Sequence, residues 1–420
     1  MDEIFALRTQ LSRQVAHWSA AVVTVDDADN FASAQAWASV ESYMRLELRK
    51  RLQSSINTLR LEVNGLAAQL ATAQSLEQLR LVRTRLLDVR RRYIQVETTL
   101  DFYGDAVNTR TNAKIGAILR ALDLLAVRSM DVVLRPLGRE APPVLTYIDK
   151  GLGASILRAG VRLWDGGTLS PAAAIKMTRH NLYRPTSLIH ETGHQVAHIL
   201  GWTEEWISAL RHEFDARAPR AVIDAWADTA SEVVADIHAF VHCGYAAVAA
   251  LHDVVASDEA AVLRYLPGDP HPIPFIRVLL NVEFCKRMFG AGPWDELAEA
   301  WIESNSPLQA APGTREFLQS SVGLLPQIAD LCLSRRLRAL GGKSITELVD
   351  PARLRPQVLL QWASALGSAL YTSPHWAIAE PLRLLALSGY RMATEPRQAS
   401  QIAQDYETWM LRLGGVTRAA

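Results

Sequence analysis

The sequence predicts a mainly α protein in which a small α+β core sits between two helical regions. Three observations carry that expectation. Two consecutive heptad seams fill much of the first third. A β-rich stretch from about residue 144 leads into an apolar, histidine-bearing helix. Amphipathic helical periodicity then returns from about residue 300 to the end.

Residues 35 to 130 read as almost wholly helical. The first seam is Leu52, Ile56, Leu59, Val63, Leu66 and Leu70, in steps of four and three. Ser75-Leu76-Glu77-Gln78 then reads as a capping box with Ser75 as N-cap. The second seam is Leu79, Val82, Leu86, Val89, Tyr93, Val96, Leu100 and Tyr103. Two seams joined by a short turn imply an antiparallel helical hairpin. Each arm should reach about 45 Å or more at 1.5 Å per residue. Such a hairpin suits a scaffold, or an arm for a protein partner or dimerisation; a lid over a cleft is the third use.

Pro136, Gly138, Pro142 and Pro143 mark a boundary, which places the helical arm at residues 1–138. VLTYID and ILRAGVRLWD follow and are β-rich, with a turn expected at Gly166-Gly167. AAIKMTRHNL reads as a further strand. The run SLIHETGHQVAHILGW is apolar and compatible with a helix, and it contains His190-Glu191-Thr192-Gly193-His194. Histidines four apart leave one helix face a turn apart, so both rings can reach one ion at about 2 Å. Glu191 lies beside the pair, where it can take a proton from a metal-bound water.

A third ligand is needed, since catalytic zinc sites use three protein ligands and a water. His198 lies two turns beyond His190, about 12 Å along the axis, and reads as a core or outer-shell histidine. The longer pattern with a glycine and a third histidine is excluded, because positions 197 and 200 are Ala197 and Leu200. Glu232, in the helix-like segment WADTASEVVADIHAF, is the remaining candidate. Asp236 is four residues on, where it can accept the free ring N–H of a ligating histidine. A solvated acidic face is the alternative for this pair, against which their apolar neighbours argue.

With Glu232-Val-Val-Ala-Asp236 the chain resembles the gluzincins, zinc peptidases with H-E-x-x-H and a downstream E-x-x-x-D. His271-Pro-Ile-Pro-Phe-Ile-Arg277 adds H-P-x-x-x-x-R in the expected order. The set is similar to the CAAX-processing and heat-shock-type zinc peptidases and their soluble relatives, over roughly residues 145 to 300. The resemblance implies a zincin-like domain with His190, His194 and Glu232 as Zn2+ ligands and Glu191 as general base. It places His271 near the reacting carbonyl and Arg277 as a brace. In such enzymes an edge strand by the cleft pairs with extended substrate, a role open to AAIKMTRHNL. Read from the residues alone, the proline-flanked His271 suits a rigid donor loop. Equally, Asp269 and the prolines suit a simple punctuation at the start of the helix FIRVLLNVEFCKRMF. His180 and Tyr183 are further donor candidates.

The 420 residues carry 44 basic and 44 acidic side chains, so no global basic footprint points to nucleic acid. The Arg-rich pieces RLELRKRLQ and RTRLLDVRRRY fit solvated helix faces. The charged start MDEIFALRTQLSRQ does not predict a secretory signal, and no run of 18 apolar residues predicts a membrane span. This departs from the membrane members of the resembled family, so a prenylated-protein substrate is not carried over. Cys243, Cys285 and Cys332, far apart and odd in number, fit buried thiols in a reducing cytoplasm. The expected organisation is an arm (1–138), a catalytic core (139–305) and a C-terminal helical region (306–420), in which Trp362, Trp376 and Trp409 read as core. The expected activity is zinc-dependent cleavage of a peptide or protein. The alternatives are a zinc-fold binding or structural module, and a delivered protease whose arm docks a larger assembly.

Overall fold

The structure, a computed structural model, describes residues 3–151, 153–164 and 168–416; the expected turn at Gly166-Gly167 lies outside them. Helices take up 76% of it and strands 4%, which establishes the mainly α class. The chain forms two compact units: Met1–Gly116 with Leu157–Ala174, and Ala117–Ile156 with Ile175–Ala420.

In the first unit, α1 (Glu3–Asp26) and α2 (Ala34–Met44) precede the hairpin of α3 (Leu48–Thr72) and α4 (Leu76–Asn108). Every residue of both seams is buried, and Ser75 and Gln78 close the capping box. The arms are unequal. At 25 residues α3 is about 38 Å long, so only the 33-residue α4, at about 50 Å, meets the expected length. The hairpin is also not bare, because α1 packs against both arms. Its Leu11, Val15, Trp18, Val22 and Val25 repeat the four-three spacing and form a third seam.

The second unit begins with α5 (Ala113–Leu134), whose first residues belong to the first unit. The strands β1 (Val144–Ile148), β2 (Ser155–Leu157) and β3 (Ala173–Met177) form a sheet of order β1-β3-β2. AAIKM is therefore the central strand, with both edges already paired, and it has no edge to offer a peptide. The edges belong to β1 and β2.

Next come α6 (Thr186–Leu200), α7 (Trp202–Phe214), α8 (Arg220–Asp228), α9 (Ala230–Cys243) and α10 (Tyr245–Val255). The short α11 (Glu259–Val262) precedes α12 (Pro274–Phe289), α13 (Pro293–Ser304) and α14 (Pro312–Ser334). Residues 306–420 lie in the same unit as these helices. The expected helices there are present, ending with Ala399–Val416. Of the three tryptophans expected as core, Trp409 is buried. Trp362 and Trp376 are half-buried, and Arg383 covers the Trp362 ring at 4.3 Å. The three cysteines are buried free thiols. No helix among the described residues is long and apolar enough to cross a membrane.

Candidate metal centre

Three helices build the site. α6 supplies His190, Glu191 and His194, α9 supplies Glu232 and Asp236, and α12 supplies Arg277. The middle of the pentapeptide explains how α6 and α9 come so close. A Cβ on Gly193 would lie 2.8 Å from Ala235 Cα and 2.9 Å from His238 Cβ, so only glycine fits. Thr192 accepts or donates at 2.8 Å with Ser129 of α5 and lies 3.3 Å from His238 Nε2, which ties the helix from two sides.

Each histidine has one nitrogen assigned by its surroundings. His190 Nδ1 lies 2.9 Å from Asp236 Oδ1, and His194 Nδ1 lies 3.1 Å from Ser231 Oγ. These contacts leave both Nε2 atoms facing Glu232, at 3.2 Å from Oε2 for His190 and 3.3 Å from Oε1 for His194. The three ligand atoms all lie within 4.8 Å of one another. Ligands held about 2.1 Å from a tetrahedral ion are separated by about 3.4 Å, so the two contacts to Glu232 have the spacing of a zinc pair. The chemistry agrees. Neutral imidazole lone pairs facing a carboxylate need a cation between them, either a proton or a metal ion.

The charges around the site are arranged for such a cation. Arg277 donates from Nε to Asp236 Oδ2 at 2.8 Å, and from Nη2 to Asp236 Oδ1 at 2.8 Å and Glu232 Oε2 at 3.0 Å. Asn281 adds a bond to Asp236 Oδ2 at 3.1 Å. Glu191, Glu232 and Asp236 against Arg277 leave a formal charge of −2, which one divalent ion neutralises. Without an ion, a proton takes its place. Burial works against a charged His190, but its bonds to Asp236 and Glu232 outweigh that and push its pKa up to about 10. Burial likewise disfavours the charged forms of Glu232 and Asp236. The histidine contacts and Arg277 overcome it and hold both carboxyls well below the usual range. Arg277 itself is raised, its two carboxylate partners outweighing burial. Glu191 goes the other way. Burial lifts its pKa, and the neighbouring histidine charges offset this only in part.

The sequence-derived set is thus brought together with two qualifications. His271 is more than half exposed and stands at the rim, its Nε2 3.7 Å from Glu232 Oε2. Its Nδ1 is held by Asp269 at 2.6 Å, and Asp269 also accepts from the His271 backbone at 3.0 Å. His198 is exposed near the end of α6, neither core nor outer shell. His180 lines the cavity, while the Tyr183 side chain lies outside the described residues. Sequence pattern marks neither Ser231 nor Asn281, and it marks Asp269 only as punctuation before α12. The adjacency of Ser231 to Glu232, of Asp269 to His271 and, one turn on, of Asn281 to Arg277 was the available signal.

The group opens into a cavity of about 310 Å³ lined by His190, Glu191, Glu232 and His271, with Ala239, Leu251 and Val254 on its apolar side. A second cavity of about 240 Å³, lined by Trp226, Tyr265, Ile273 and Phe317, shares His271 and Arg277 with it. No protein-family model, curated protein or solved structure matches the chain.

Proposed function

We propose that the protein is a zinc-dependent peptidase that hydrolyses internal peptide bonds, as a gluzincin-like enzyme. The observation that carries this is the cluster of ligand atoms from His190, His194 and Glu232 beside a buried carboxylate, Glu191, with His190, Glu191 and Glu232 lining one cavity. His190, His194 and Glu232 would hold the ion. When bound, zinc supplies Lewis acidity, polarising a carbonyl and bringing a water's pKa toward about 7.

The chain's own groups do the rest. Glu191 removes the proton of the attacking water and delivers it to the leaving nitrogen, and its burial makes it a better base than an exposed carboxylate. Asp236 fixes the tautomer of His190, and Arg277 and Asn281 fix Asp236. His271, its Nδ1–H held by Asp269, donates Nε2–H to the developing oxyanion when both ring nitrogens carry hydrogen, and one such donor is worth about 3 kcal/mol. The apolar cavity beside His271 suits a bulky apolar substrate side chain.

Glu191→Gln tests the mechanism. The zinc content should stay at the wild-type level while turnover of a cleavable peptide falls about 10²–10⁴-fold. Normal turnover with zinc retained would refute the role of Glu191.

A further inference from the structure

The solvent face of α4 carries a second heptad seam that no part of the described structure covers. Arg80, Thr84, Leu87, Arg91, Ile94, Thr98, Asp101 and Asp105 follow one another in steps of four and three. All eight are exposed, Leu87 at 50% and Ile94 at 47%. The seam runs along the helix apart from the buried one, over about 38 Å.

Its charge is polarised. All six arginines of α4 fall at or before Arg92, against Glu77 and Asp88. Beyond Arg92 the helix has Glu97, Asp101 and Asp105 and no cation. This arrangement works against the helix itself. Asp105 lies in the last turn, where the helix dipole favours cations. Glu97, Asp101 and Asp105 are stacked four apart, and like charges at that spacing repel. Asp101 is raised by partial burial and by the charges of Glu97 and Asp105. Arg80, Arg83 and Arg90 have no ion-pair partner among the described residues. The hydroxyls of Thr84 and Thr98 are already bonded to their own helix. Arg91 pairs with Asp88 and Glu97 accepts from Tyr93, but Glu97, Asp101 and Asp105 have no ion-pair partner among the described residues, and a local rule broken in this way points to an interface.

The pattern is complementary to itself reversed. About a midpoint between Arg92 and Tyr93, an antiparallel copy sets Arg80 opposite Asp105, Thr84 opposite Asp101, Leu87 opposite Thr98 and Arg91 opposite Ile94. Arg83 comes beside Asp101, and Arg90 beside Glu97. A two-fold axis requires this, since the same patch must serve both subunits. We propose that α4 pairs antiparallel with α4 of a second copy of this chain through this seam. The pairing is independent of the metal centre.

Charge reversal on the full chain tests it, read by sedimentation at low and high salt. Wild type should show the two-chain mass at low ionic strength and dissociate near 1 M salt, where screening shortens to about 3 Å. Arg80→Glu/Arg83→Glu and Asp101→Arg/Asp105→Arg should each be monomeric, with unchanged helicity and zinc content. Mixed together they should form a heterodimer, because each clash becomes an attraction. A wild type monomeric at all concentrations, a reversed variant that still self-associates, or a mixture that stays monomeric would each overturn the proposal.

Discussion

Removing the Arg277 guanidinium strands two buried carboxylates. Arg277, Glu232 and Asp236 are all less than a tenth exposed, and the three bonds between them run from 2.8 to 3.0 Å. In the metal-free Arg277→Met variant Glu232 keeps only its contacts with His190 and the His194 ring, with His271 at the rim, and Asp236 keeps only His190 and the uncharged Asn281. Breaking one member of a buried ionic group costs about 3–5 kcal/mol. Asp236→Leu should cost a similar amount, since Arg277 keeps only Glu232 while His190 and Asn281 lose an acceptor. The double variant removes both charges at once. Its cost should fall short of the summed single costs by about 2 kcal/mol or more. Urea unfolding in chelator measures all four free energies, with the denaturant slope checking that the transition stays two-state. Additive costs would refute the claim that these residues form one buried unit.

Three further outcomes are expected. Gly193→Ala forces a methyl against the backbone of Ala235, which cannot rotate away. It should lose about 1–3 kcal/mol and some zinc affinity, and a wild-type melting temperature would contradict the close helix contact. The folded-state pKa of His190, about 10, lies above its ordinary 6.5. Its charge therefore stabilises the metal-free fold fully below about pH 6.5, and that stability is lost as pH rises through about 10. Melting in chelator should show this fall, and zinc-saturated protein, in which the ring is neutral, should not. His271→Ala should lower turnover about 10²–10³-fold with no change in melting temperature, as its ring is more than half exposed. Asp269→Asn should lower it less; an effect of Asp269→Asn exceeding that of His271→Ala would contradict the orienting role.

The local features of this fold were legible because they rest on spacing. Both hairpin seams and the Ser75 cap follow from residues that face one side of a helix. The pairing of His190 with His194 on one face was legible from their four-residue offset, while the approach of Glu232 depends on how α9 packs against α6. The rest depended on pairings between distant segments. Strand order decides which strand has a free edge, and nothing in AAIKM says that it lies between β1 and β2. His198 continues the four-residue spacing of the motif, yet its exposure is set by where α6 ends and what covers it. The bulk of Trp362 and Trp376 predicts burial, yet the chain leaves both only half-buried. Ser231 and Asn281 act only through partners across the site, so no local pattern marks them.

Zinc stoichiometry after dialysis decides whether His190, His194 and Glu232 hold a metal ion. Wild type and Glu191→Gln should each retain one zinc per chain, and His194→Ala should retain essentially none. A wild type that holds no zinc, or a His194→Ala variant that holds as much as wild type, would contradict the account.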